Sequence, residues 1–185
     1  MKKLNSLITV LCVVTGCSLT LATRGYGDTL AANAMDGTVD ATTIVETNSF
    51  ESQVGRLGGA ERAYIIPFQL PTLGVGEGFT LTTLRLMLYL ENVSTFNADV
   101  YGLSRVSASP DILPADFYIG AVDGSATLIQ SDFFTPTSPL MTETFTDLTG
   151  EANLASWLNV RYAACANAGQ YVFLRVNADA SPVGD

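Results

Sequence analysis

The sequence predicts an all-β fold, a β-sandwich of jelly-roll type with one short helix near the C-terminus. Three observations carry that reading. Short apolar and β-branched runs are separated by Gly- and Pro-containing turns about every 8 to 12 residues, the signature of sandwiches and barrels. From Leu84 to Leu90, leucine alternates strictly with other residues, as on a strand with one buried face. One stretch alone, Glu151 to Cys165, shows helical spacing. Composition agrees, because 48% of the 185 residues are apolar and 15% are charged, which suits a packed domain rather than a disordered chain.

The chain opens with the basic segment Met1-Lys2-Lys3 and the mostly apolar Leu4 to Val14. That run is shorter than the roughly 20 residues of a transmembrane span, so residues 1–27 are expected to be an export signal. Two cleavage readings stay open. Val14-Thr15-Gly16-Cys17 has the form of a lipobox, which would make Cys17 a lipid anchor and, with Ser18 following, place the protein at the outer membrane. Thr20-Leu21-Ala22 or Gly25-Tyr26-Gly27 would instead suit ordinary signal peptidase. Either way the expected location is the cell envelope or the extracellular space. Cys165, among small residues, then remains without a partner and reads as a small buried hydrophobe.

Residues 28–40 read as a linker or weak first strand, and 41–185 as the domain. Thr42 to Thr47 and Phe50 to Leu57 are short β-like runs. Arg62 to Leu70 is apolar, and Pro67 within it implies an edge position or a bulge. Phe79 to Glu91 holds the leucine alternation. In Phe96 to Leu103, Phe96, Ala98 and Val100 are expected to face the core and Asn97, Asp99 and Tyr101 the solvent. Phe117 to Ile119, Ala126 to Phe134 and Leu140 to Leu148 are further candidate strands. In the helix, Leu154, Trp157, Leu158 and Tyr162 share one face, with Thr149 as the expected cap and Glu151 at the N-terminal dipole. Gly169 reads as the C-terminal cap or turn, and Tyr171 to Val176 as the last strand.

Charge limits the chemistry. The chain has 9 Lys+Arg against 18 Asp+Glu, with no histidine and a net charge of -9. Nucleic-acid binding, which needs clustered cations, is excluded. So are a Ser-His-Asp triad, a Cys-His pair and imidazole-bound zinc.

Several segments resemble DNRLRE-type jelly-roll domains. They are Arg62-Ala63-Tyr64-Ile65-Ile66-Pro67-Phe68-Gln69-Leu70-Pro71, then Thr83-Leu84-Arg85-Leu86-Met87-Leu88-Tyr89-Leu90, then Asp99-Val100-Tyr101-Gly102-Leu103, and the helix with Trp157 followed by Tyr171-Val172-Phe173-Leu174-Arg175. Similar domains occur in exported PEP-CTERM-associated proteins of planctomycetes and verrucomicrobia. The resemblance spans roughly residues 40 to 180 and rests on core-forming motifs, so it implies fold more than activity. The sorting tail of those proteins has no counterpart here, and a last strand is expected to be missing.

The resulting expectation is a non-catalytic exported surface or matrix module that binds carbohydrate. Its alternative is a structural or adhesive subunit that assembles through an open sheet edge. Asp99 and Tyr101 are the candidate ligand-binding residues, an aromatic and a carboxylate on one sheet face. The partners are extracellular polysaccharide or other surface proteins, with the membrane reached only through Cys17. No cofactor is expected. Calcium is the one metal the loop acids Asp111, Asp116, Asp123 and Asp132 suit, although no EF-hand spacing is present. No spacing singles out a carboxylate pair for glycoside chemistry, and Trp157 reads as core.

Overall fold

The structure is a computed structural model that describes residues 7–11, 32–47, 52–57, 60–74, 77–88, 97–165 and 168–180. These residues form β1 (Leu7–Leu11), β2 (Gly37–Val39), β3 (Ile44–Thr47), β4 (Gly55–Leu57), β5 (Ala60–Gln69), β6 (Leu81–Met87), β7 (Ala98–Ser107), β8 (Thr127–Phe134), β9 (Glu143–Phe145), α1 (Leu148–Cys165) and β10 (Tyr171–Ala178). A 7-stranded sheet has the order β3-β2-β5-β10-β7-β8, with β4 also paired to β5. A 3-stranded sheet has the order β1-β6-β9. Pairing is antiparallel, except that β1 runs parallel to β6.

The large sheet is buried on both faces. Tyr64, Ile66 and Phe68 of β5 and Val172, Leu174 and Val176 of β10 enter the main core. There they meet Leu84 and Leu86 of β6, Ile129 and Phe133 of β8, and Leu154, Trp157 and Leu158 of α1. Ala63, Ile65 and Phe173 point the other way, into a second cluster closed by Val39, Leu103 and Ile112. Each Val, Leu, Ile or Phe among them contributes about 1.5–3 kcal/mol when fully buried. Two covered faces explain why β5 and β10 read as continuous apolar runs, whereas β6, covered on one face from Leu84 on, alternates there. β2, inside the stretch expected as linker, is fully buried between β3 and β5.

β5 is an interior strand, so Pro67 is not on a sheet edge as expected. It lies beyond the last β2 rung, Gly37 with Ile65, where Asn33 N donates to the Pro67 carbonyl. The missing N–H would face that same side, where the ladder has already ended. Phe117 to Ile119 is not a strand; it follows a 3-10 turn at Pro114–Asp116, within the layer that covers the second cluster.

α1 has 18 residues and is followed by β10, so the helix is neither short nor near the C-terminus. Its cap is Asp147 rather than Thr149. Gly150 N donates to Asp147 Oδ1 at 2.7 Å, and Glu151 N donates to the Asp147 carbonyl at 2.8 Å. Trp157 lies flat against Gly102, where a Cβ would collide with the indole. Gly169 takes φ 86 in the turn before β10, and its N–H donates to the Leu70 carbonyl. No helix among the described residues is long and apolar enough to cross a membrane. Cys17 and Phe96 lie outside the described residues, as does the Cys165 side chain.

Candidate functional site

Asp99 and Tyr101 do not face solvent. They lie on the second face of the large sheet, 3% and 1% exposed, beneath residues 108–126. Period-two alternation placed them opposite Ala98 and Val100 correctly, but both faces of β7 are covered. Tyr101 donates its hydroxyl to the Ala121 carbonyl at 2.8 Å and lies 3.4 Å from Asp99 Oδ2. Asp99 Oδ1 accepts from Asp132 N at 2.9 Å. Burial raises the Asp99 carboxyl above its usual value despite that amide, and the charges of Asp179 and Asp132 add to the rise. Burial, together with Asp99, pushes the Tyr101 phenol up to about 12.

Arg175 of β10 is the centre of this layer. Its guanidinium donates to Asp123 Oδ2 at 2.6 Å, to Asn177 Oδ1 at 2.8 Å and to the Asp116 carbonyl at 3.1 Å. It also lies 5.2 Å from the ring centres of both Tyr101 and Tyr118. Burial raises the Asp123 carboxyl, but the hydrogen bonds from Ser125 and Arg175 outweigh it and hold the group below its usual value. Arg105 forms a second clamp. It grips both Asp116 carboxylate oxygens, at 3.1 and 2.5 Å, and stacks 3.5 Å over the Phe173 ring. A planar guanidinium suits this paired carboxylate and ring contact, where lysine would not. The cluster fastens the covering layer to the sheet and presents no accessible nucleophile or acid.

The loop acids offered for calcium are therefore engaged otherwise. Asp116 and Asp123 hold arginines, and Asp111 accepts from the Ser109 hydroxyl at 2.5 Å. Asp132 lies in β8, not in a loop, and accepts from Asn97 Nδ2 at 2.5 Å. Among the described residues no group of three or more His, Cys, Asp or Glu is placed to hold a metal ion.

The accessible polar and aromatic groups lie elsewhere, on the outer face of β6 and β9. Leu84 and Leu86 point into the core, so Arg85 and Met87 point away from it. Arg85 pairs in register with Phe145, and Met87 with Glu143. Arg85 Nη1 donates to Glu143 Oε2 at 2.7 Å, and its guanidinium carbon lies 6.0 Å from the Phe145 ring centre. Phe145 is 47% exposed, and Leu140, Met141 and Leu148 beside it in sequence are exposed as well. The run from Leu140 to Leu148 predicts a strand, of which only Glu143–Phe145 forms one while Leu148 opens α1, and it does not predict this grouping, since Arg85 and Phe145 are brought together only by the β6–β9 register.

No family model, curated protein or solved structure matches the chain. The functional reading therefore stands on the geometry of these residues.

Proposed function

We propose that this chain is a non-catalytic exported module of the cell surface or matrix, a jelly-roll-type β-sandwich that contacts polysaccharide through the outer face of β6 and β9. The carrying observation is Phe145, half exposed beside the Arg85–Glu143 ion pair. An exposed ring offers an apolar face to sugar C–H groups, and the charged pair offers a donor and an acceptor to sugar hydroxyls. Asp99 and Tyr101, buried on β7 beneath the covering layer, support this module as core residues and not as its contact. The test is gel electrophoresis through a panel of embedded soluble polysaccharides. At least one polysaccharide is expected to retard the protein, and Phe145→Ala or Arg85→Ala to restore free migration without lowering the melting temperature by more than a few degrees. Free migration through the whole panel would exclude the reading.

The alternative is a structural subunit joined through an open sheet edge. One observation argues against β8 for that role. The outermost strand β8 is partly closed by α1, because Asn153 Nδ2 donates to the Ile129 carbonyl at 3.0 Å.

A further inference from the structure

We infer that the β6 edge held by β1 is an assembly edge, covered by the leader before processing and closed afterwards by the same edge of a second copy. In the full chain Leu7, Ile8, Thr9, Val10 and Leu11 pair in register with Leu81, Thr82, Thr83, Leu84 and Arg85. All five of these β1 residues lie within residues 1–27, and every cleavage reading of that leader removes them. The other edge of β6 stays paired. Thr146 N donates to the Leu84 carbonyl at 2.9 Å, Leu84 N donates to Thr146 Oγ1 at 3.0 Å, and the β9 register continues through Arg85, Leu86 and Met87. Successive residues of a strand turn their N–H and C=O to opposite edges. Leu84 and Leu86 therefore face β9, while Thr83 and Arg85 face β1. Loss of β1 bares the backbone groups of Thr83 and Arg85 on a strand fixed in place by Leu84 and Leu86 in the core. Such an edge is a template for another strand.

The occupant is a second processed copy. It presents the same bare edge, and antiparallel pairing of β6 with β6 about a two-fold axis satisfies both at once. Antiparallel pairing is the more stable geometry, and two-fold dimers are the commonest assembly. The remaining outer strands offer less, and β4 and β9 have only 3 residues each. β8 carries the Asn153 contact and a left-handed residue, Asp132 with φ 52. β3 has 4 residues, is interrupted in register and bears Glu46. The dimer joins two β6–β9 pairs into one sheet and sets two Phe145 faces on it. That consequence rests on the polysaccharide reading, whereas the edge itself rests on the leader reading.

The full-length gene is expressed in an exporting bacterial host, and the N-terminus of the exported product is read by mass spectrometry. That product is compared with the full chain retained in the cytosol, by sedimentation at rising concentration and by hydrogen exchange. The exported product is expected to lack residues 7–11 and to double in mass as concentration rises. The Thr83 and Arg85 amides gain protection in step, and the full chain stays monomeric with both protected throughout. Three results overturn the proposal: an exported product that keeps residues 7–11, one that is monomeric at every concentration, or a dimer whose Thr83 and Arg85 amides exchange freely. Thr83→Pro removes an edge-facing N–H and is expected to abolish the doubling, with protected Leu84 and Leu86 amides reporting that β6–β9 is intact. The unsubstituted product carries the test without that variant. Polysaccharide retardation of the monomeric Thr83→Pro protein, or its loss in a dimeric Phe145→Ala protein, reads the contact face separately from the edge.

Discussion

Asp36 makes stability depend on pH. It is 2% exposed and accepts the Tyr64 hydroxyl. Burial pushes its carboxyl up from 3.8 to about 6, against the lowering effect of that hydroxyl and of its own amide. A raised carboxyl means that the fold disfavours the ionised form. The penalty is present in full above about pH 6, shrinks as pH falls toward 3.8, and is absent below it. Its size is ~3 kcal/mol. Asp36→Asn keeps an acceptor for Tyr64 and removes the charge. The variant is expected to be more stable than the parent at pH 7.5 and to lose that advantage by pH 4, in urea titrations across the range. An unchanged difference at the two pH values would show that Asp36 does not titrate in this window. Arg175 tests the opposite situation, a charge well paired in the interior. Arg175→Met leaves Asp123 buried without its cation and is expected to cost about 3–5 kcal/mol. Adding Asp123→Leu should recover much of that loss, and a double-mutant cycle measures the coupling.

At the scale of elements, α1 is positioned by its cap and by one close approach. Asp147→Ala removes the acceptor for Gly150 N and is expected to cost ~1 kcal/mol, whereas Thr149→Ala should be close to neutral. Equal losses in chemical denaturation would mean that the cap is misassigned. Gly102→Ala drives a Cβ into the Trp157 indole and is expected to cost ~1–3 kcal/mol, with a shift in tryptophan emission as the helix moves. These two devices also show what a single sequence reveals. The helix was legible because Leu154, Trp157 and Leu158 repeat at helical spacing, and β6 because its leucines alternate. Its true cap was not, since Asp147 and Thr149 are both good capping residues two positions apart, and backbone geometry chooses between them. The burial of Asp99 and Tyr101 is not legible for a related reason. Alternation separates the two faces of β7 but says nothing of residues 108–126 folding back over the second. Arg105 and Arg175 were the available signal for that layer, since an arginine within an apolar run such as Tyr171 to Val176 calls for a buried partner.

For the whole molecule, the central question is whether that covering layer is a separate unit. Its attachments argue that it is not. Lifting residues 108–126 would expose Phe173, Ile65 and Val39, each 0% exposed in the fold. The same opening would strip Arg175 of Asp123 and of the Asp116 carbonyl. An uncompensated buried charge and the loss of an apolar cluster are each comparable with the whole stability of a small domain, about 5–15 kcal/mol. The layer should therefore open only when the sheet itself unfolds. Trp157 reports on the main core, whereas the tyrosines report on both sides: Tyr64 and Tyr162 pack in that core, and Tyr101 and Tyr118 flank Arg175 beneath and in the layer. Urea unfolding followed by tryptophan emission and by tyrosine near-ultraviolet dichroism is expected to give coincident transitions. Arg105→Ala releases the clamp on Asp116 and should move both midpoints down together, because the clamp stabilises a unit that includes the sheet. A tyrosine transition preceding the tryptophan one, in the parent or in this variant, would make the layer an independent flap and the fold a two-unit molecule.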